Sequence, residues 1–222
     1  MVALVVLTVI KVICFFARIL LTRERAYKLA EWWAVRDTLP EKIDTIILVS
    51  FGATSTRLSR GAEVTTQRVQ ELMVKYPEAV VLYGEFTKNP TRGPEKRLKS
   101  WALGPQAKYV GQVINTIEEE EACKLCHPNN FCRIFIVTDE AHSRGVKWVA
   151  EQVWGKAWGT IYINPVSTRE VIDPEAPMEA LRDPRDWIAV NIFRQLILWI
   201  PGGFWLLKGS GACQPSSEVR SA

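Results

Sequence analysis

The feature that most constrains this chain is its alternation of short, continuously apolar runs with stretches of helical period. Residues 45–51 carry Ile46-Ile47-Leu48-Val49, the mark of a strand buried on both faces, and the run stops at Gly52-Ala53. Residues 79–83 form a second such run, ending at Gly84-Glu85, and residues 108–114 a weaker third. A fourth run, 133–137, leads into Thr138-Asp139-Glu140-Ala141-His142, and 160–164 is a fifth. Between them, Val69, Leu72, Met73 and Tyr76, and later Val146, Val149, Ala150 and Val153, fall at i, i+3, i+4 and i+7, which gives each segment one helical face to bury. A shorter helix is expected over 95–103. Strict alternation of strand and helix implies βαβ units. The expected fold is therefore α/β, a three-layer αβα Rossmann-like domain over about residues 40–170 with a mostly parallel sheet of about five strands.

A chain of 222 residues suits one such core with appendages. The net charge of +4 is small, and its basic residues are scattered rather than gathered in a stripe, which argues against nucleic acid as a partner. Cysteines stand at 14, 123, 126, 132 and 213, too few and too dispersed for a disulfide scaffold. Cys123-Lys-Leu-Cys126-His127 has the spacing of a haem attachment, and with Cys132 it offers four zinc ligands or a local disulfide. It falls at a helix end and in a Pro-Asn-Asn loop, remote from the strand ends, so no metal is assigned to the site.

Both ends are strongly apolar. Residues 1–21 are interrupted by Lys11 and Arg18, and with Arg25 these charges recur every seventh residue as one narrow stripe. The length suffices to cross a bilayer, so residues 1–28 are expected to form a single membrane anchor, and the basic residues after it place the domain on the cytoplasmic side. After a linker over 171–186, residues 187–200 are apolar apart from Asn191, Arg194 and Gln195, which make one polar ridge. Pro201-Gly202-Gly203 then breaks the helix before a short apolar hook, so 187–208 form an amphipathic end, followed by a flexible tail over 209–222. These faces can pack on each other, lie in a membrane interface or cap the sheet. Trp32, Trp33, Trp187, Trp199 and Trp205, in or beside these ends, suit either a bilayer interface or a helical core.

In parallel sheets ligands sit beyond the carboxyl ends of the strands, and the residues there are the candidate site. Gly52 and Gly84 can admit a ligand to the backbone or simply serve the turn, and Glu85 stands beside the second. Asn115 and Thr116 open a helix whose free amides welcome an anion. The Thr116 hydroxyl, with Glu119 three residues on, has capping-box spacing. Residues 118–121 read as a solvated acidic face from which Glu118 or Glu119 can turn inward. His142 is suited to proton transfer or hydrogen bonding, with Asp139 to orient it and Arg144 to hold an anionic group. Catalytic candidates are therefore His142, Asp139 and Glu118, and ligand-binding candidates are Gly52, Gly84, Glu85, Asn115, Thr116, Thr138 and Arg144.

The order of these pieces over residues 44–166 resembles domain-of-unknown-function family 218, the SanA-, ElyC- and YdcF-like proteins of bacterial envelopes. The resemblance rests on Ile46 to Gly52, Val80 to Gly84, Asn115-Thr116-Ile117-Glu118 and Ile136-Val137-Thr138 with His142. The family usually has further glycines where this chain has Ala53 and Glu85, and an arginine at the place of Gly145. The resemblance implies a membrane-anchored Rossmann-like domain linked to envelope biogenesis, with S-adenosylmethionine as a candidate cofactor. The expected function is a membrane-associated domain binding an anionic or nucleotide-like small molecule. The alternative is a non-catalytic, membrane-docked scaffold for a protein partner.

Overall fold

A computed structural model describes residues 2–89, 91, 93–127, 132–155 and 158–209. The tail expected over 209–222 lies outside them from residue 210 on, Cys213 included, as does the Pro-Asn-Asn loop at 128–130. The elements run α1 (Val2–Leu20), α2 (Arg23–Trp33), β1 (Thr45–Leu48), α3 (Arg60–Lys75), β2 (Val80–Phe86), α4 (Pro94–Leu103), β3 (Ala107–Val113), α5 (Thr116–Cys126), β4 (Cys132–Val137), α6 (Glu140–Trp154), β5 (Gly159–Ile163), α7 (Thr168–Val171), α8 (Pro184–Trp199) and α9 (Gly203–Gly209).

The five strands form one wholly parallel sheet in the order β3-β2-β1-β4-β5. Successive strand residues point to opposite faces, and each face is apolar. Ile46, Leu48, Val81, Tyr83, Phe135 and Val137 pack with Val69 and Leu72 of α3 and Leu103 of α4. Ile47, Leu82, Ile134 and Ile136 pack on the other face with Cys123 of α5 and with Val146, Ala150 and Trp154 of α6. The molecule is thus a three-layer, doubly wound α/β domain. Each fully buried aliphatic or aromatic side chain adds roughly 1.5–3 kcal/mol, and together they fix the register.

The chain winds outward from β1 through β2 to β3, then returns to lay β4 on the other side of β1. The switch point of the topology therefore lies between β1 and β4, where a doubly wound sheet leaves a crevice beyond its carboxyl ends. The last ladder bond there is Val49 N–H to the Val137 carbonyl at 3.2 Å. Beyond it one chain turns toward α3 and the other enters α6.

A further helical layer covers α6. Fully buried Ala26 and Ala30 bring α2 close, and residues 33–37 run as a strap along the open edge of β5. Asp37 N–H donates to the Ile163 carbonyl, and the Asp37 carboxylate accepts from Ile163 N–H at 2.9 Å and Lys147 Nζ at 2.7 Å. The carboxyl end of the edge strand is paired in this way. The segment 171–186 is packed, with Val171, Asp173, Ala176 and Leu181 buried and a 3₁₀ turn at Glu179–Arg182.

The apolar amino end is broken rather than continuous. Thr22 caps α2 by accepting from Arg25 N–H at 3.2 Å, which separates α2 from α1. Among the described residues no helix is long and apolar enough to cross a membrane, so the expected spanning helix over 1–28 is not found. Instead α1 lies against α8, tied by Arg18 Nε donating to buried Asp186 at 2.9 Å. Ion pairing thus absorbs one charge of the seven-residue stripe.

Candidate functional site

At the end of β4, Thr138 and Asp139 are both fully buried. Asp139 caps α6: its Oδ2 accepts from Ala141 N–H at 3.1 Å, the Thr168 hydroxyl at 2.7 Å and Trp187 Nε1 at 2.9 Å. Burial raises this carboxyl to about 6, against the opposing pull of the Thr168 and Trp187 hydrogen bonds. One turn into α6, His142 stands edge-on to Trp187 at 5.5 Å between ring centroids and to Phe51 at 6.5 Å. Its Nε2 lies 3.0 Å from the Thr116 hydroxyl at the start of α5. Burial, helped by the charge of Arg194, lowers the imidazole to about 3. The ring is therefore neutral at ordinary pH and serves as a hydrogen-bonding group before it serves as an acid.

The start of α5 differs from the sequence expectation. Asn115, not Thr116, is the cap, its Oδ1 accepting from Glu118 N–H at 3.0 Å, while the Glu118 carboxylate reaches back to Ile114 N–H at 3.0 Å. The hydroxyl of Thr116 is drawn to His142 instead, which leaves Glu119 without the reciprocal role. The solvated acidic face expected over 118–121 is likewise corrected. Glu119 and Glu120 are buried, the first bonded to Ser50 N–H and to the Ser50 hydroxyl at 2.7 Å, the second to Trp154 Nε1 at 2.7 Å. Burial pushes them up to about 7 and about 8. The partners Ser50 and Trp154 lie 69 and 34 residues away, which local periodicity does not register.

A cavity of about 80 Å³ lies between α5, α6, α8 and α9. Asn115, Thr116, His142, Asn191 and Arg194 supply its polar wall, and Leu198 and Leu207 part of its apolar one. No carboxylate pairs with Arg194 among the described residues. Among the described residues six buried side-chain polar atoms lack a hydrogen-bond partner, on Trp33, Glu120, Thr138, Asp139, His142 and Gln195, and of these residues His142 lines the cavity. Buried polar atoms are nearly always satisfied, so Nδ1 of His142 is the exception in this wall.

The other sequence candidates stand elsewhere. The ends of β1 and β2 are filled by the protein's own groups. Lys99, fully buried, pairs with Glu95 at 2.7 Å and donates to the Gly84 carbonyl at 3.2 Å. Glu95 accepts from Gly52 N–H at 3.2 Å and Phe86 N–H at 2.8 Å, occupying the amides a ligand would use. Gly84 is needed for closeness, since a Cβ there would meet Glu119 Oε1 at 3.0 Å and Ser50 Oγ at 3.2 Å. Glu85 is buried and accepts from Gly93 N–H at 2.7 Å. Arg144 turns away to the Trp33 carbonyl at 3.2 Å and lies over the Trp33 ring at 4.8 Å. The structure thus brings together Asn115, Thr116 and His142, with Thr138 and Asp139 beside them and Glu118 on the cap. It leaves Gly52, Gly84, Glu85 and Arg144 outside the cavity.

Trp187, Asn191 and Arg194 are additions from α8. Asn191 and Arg194 belong with Gln195 to the polar ridge of the sequence, but nothing local tells which way that ridge faces. The cysteine motif is dispersed among separate partners: His127 Nε2 meets the Thr45 hydroxyl, Cys132 contacts the Trp158 carbonyl, and Cys123 and Cys126 are buried free thiols. Among the described residues no group of His, Cys, Asp or Glu is placed to hold a metal ion.

Fold and site together define a doubly wound α/β domain with a small, partly open and mostly apolar cavity between α5, α6, α8 and α9. No protein-family model, no curated protein and no solved structure matches the chain.

Proposed function

We propose that this chain is a membrane-associated α/β domain that binds the anionic group of a small ligand over the β1/β4 switch point. The observation that carries the reading is His142, whose buried Nδ1 has no partner among the described residues, in the wall of a cavity also lined by the start of α5 and by Arg194. Helix amides, a neutral imidazole and an arginine are complementary to a phosphate or carboxylate. Its volume, about 80 Å³, equals two or three water volumes at roughly 30 Å³ each. That suits one phosphate or carboxylate group. A whole adenosyl ligand does not fit, since sites for such molecules run to roughly 300–1,000 Å³. S-adenosylmethionine would have to extend beyond this partly open cavity. Membership of domain-of-unknown-function family 218 and a part in envelope biogenesis belong to the same reading, resting on the motif order that ends in Thr138 and His142.

Calorimetric titration of the full chain with inorganic phosphate, pyrophosphate, nucleotides and S-adenosylmethionine tests it, beside His142→Ala and Thr116→Ala. Binding of phosphate by the parent and its loss in both folded variants is expected. Equal binding by all three removes the site. The internal Glu95 carboxylate on the amides of Gly52 and Phe86 favours a second reading, a docked scaffold whose ancestral crevice is closed. A scaffold binds no anion here, and its membrane association is indifferent to His142→Ala.

A further inference from the structure

Helix α8 buries Trp187, Ile188, Val190, Ile197 and Leu198 together with the polar Asp186, Asn191 and Gln195, yet it leaves Leu196 and Trp199 exposed beside Arg194, as is Ile200 just beyond its end. The neighbouring helices continue this outer apolar surface, with Phe15, Phe16, Ile19 and Leu20 exposed on α1 and Trp205 and Leu206 on α9. Exposed large side chains gathered on adjoining helices form a patch that a water-soluble surface seldom keeps. Lys11, Arg25 and Lys28 stand exposed on α1 and α2, giving the patch a basic border that complements anionic lipid.

The cavity reaches into this surface. Its polar wall is contributed by α5, α6 and the buried side of α8, but Leu198 and Leu207 belong to the α8–α9 hairpin that carries Trp199 and Trp205. A second gap of about 200 Å³, lined by Ile13, Leu21, Leu29, Ile188, Ile192 and Leu196, opens on the other side of α8 and is apolar throughout. A phosphate free in water gains nothing from apolar walls. A phosphate esterified to an acyl chain is complementary to a polar floor with an apolar exit. The volume sets a further limit, because a bare terminal phosphoryl group fits and a phosphodiester carrying a bulky alcohol does not.

We propose that the ligand is the terminal phosphate monoester of a membrane lipid, taken from the bilayer on which α1, α8 and α9 sit. Thr116, His142 and Arg194 hold the phosphoryl oxygens, while Leu198 and Leu207 meet the first carbons of the lipid. This rests on the anion-binding reading above and adds the source of the anion.

Flotation of the full chain with phosphatidylcholine vesicles, alone or doped with phosphatidic acid or with phosphatidylglycerol at equal charge, tests the proposal, with inorganic phosphate titrated in parallel. Phosphatidic acid is expected to strengthen vesicle binding by about tenfold or more over phosphatidylglycerol, the scale of a charge-assisted hydrogen-bonded contact. Arg194→Gln and Thr116→Ala, checked for native circular dichroism, should remove that preference and keep the weaker binding to neutral vesicles. Equal binding to phosphatidic acid and phosphatidylglycerol overturns the proposal, as does inorganic phosphate bound as tightly as the lipid, although the second result leaves the anion site standing. Failure to bind either phosphate source overturns both.

Discussion

Replacing Glu120 by glutamine should make the protein more stable at alkaline pH, which is unusual for the removal of a charged residue. Glu120 is fully buried on α5, with Oε2 accepting from Trp154 Nε1 at 2.7 Å and Oε1 without a partner among the described residues. Desolvation, reinforced by the neighbouring Glu119 and opposed by Trp154, raises its carboxyl from 4.5 to about 8. The folded protein therefore holds a proton that the unfolded chain has released across this interval. Stability falls as pH rises from 4.5 toward 8 and levels above it, because the folded state binds more protons. The slope for one such group is roughly 1.4 kcal/mol per pH unit, and the whole interval amounts to about 5 kcal/mol. That is comparable with the net stability of a domain, roughly 5–15 kcal/mol. Glutamine keeps the shape and the acceptor for Trp154 but does not titrate. Urea unfolding at pH 5, 6, 7 and 8 should show the stability of Glu120→Gln falling less steeply than that of the parent by about one proton's slope. Glu119, raised to about 7, keeps its own contribution in both proteins. Parallel curves would refute the burial of an uncharged Glu120.

Three further outcomes follow from the same packing. Gly84→Ala should destabilise by about 1–3 kcal/mol in chemical denaturation, because its Cβ would press on the bonded pair of Glu119 and Ser50. Lys99→Met should cost about 3–5 kcal/mol by leaving Glu95 buried without its cation, and the double variant with Glu95→Gln should regain part of it. Trp187→Phe should lower the melting temperature through the loss of about 1–3 kcal/mol, since buried Asp139 loses its indole donor. A melting temperature unchanged in Trp187→Phe would contradict the docking of α8 on the start of α6.

The fold was largely legible in the sequence because a parallel sheet writes itself into the chain. Ile46 to Val49 and Ile134 to Val137 are apolar without alternation since both faces of the sheet are covered, and the switch point follows from strand order. That His142, Thr116 and Asn115 come together was legible because each stands just past a strand end. Local cues misled where a partner lay far along the chain. The acidic run 118–121 has the look of a wet surface, and only the distant partners Ser50 and Trp154 reveal that half of it is interior. Arg144, expected beside His142, finds Trp33 instead. The polar ridge of α8 was seen, but a helical pattern fixes a face and not its direction. Only the docking of Trp187 on Asp139 turns Asn191 inward.

The most direct measurement is a titration of the isotope-labelled full chain with inorganic phosphate, followed through the backbone amides of residues 115–118 and the ring of His142. Saturable shifts at Thr116, Ile117 and the imidazole, absent in Arg194→Gln, are the expected result. Unchanged resonances at these positions in a folded protein, at any phosphate concentration reached, would contradict an anion site over the β1/β4 switch point.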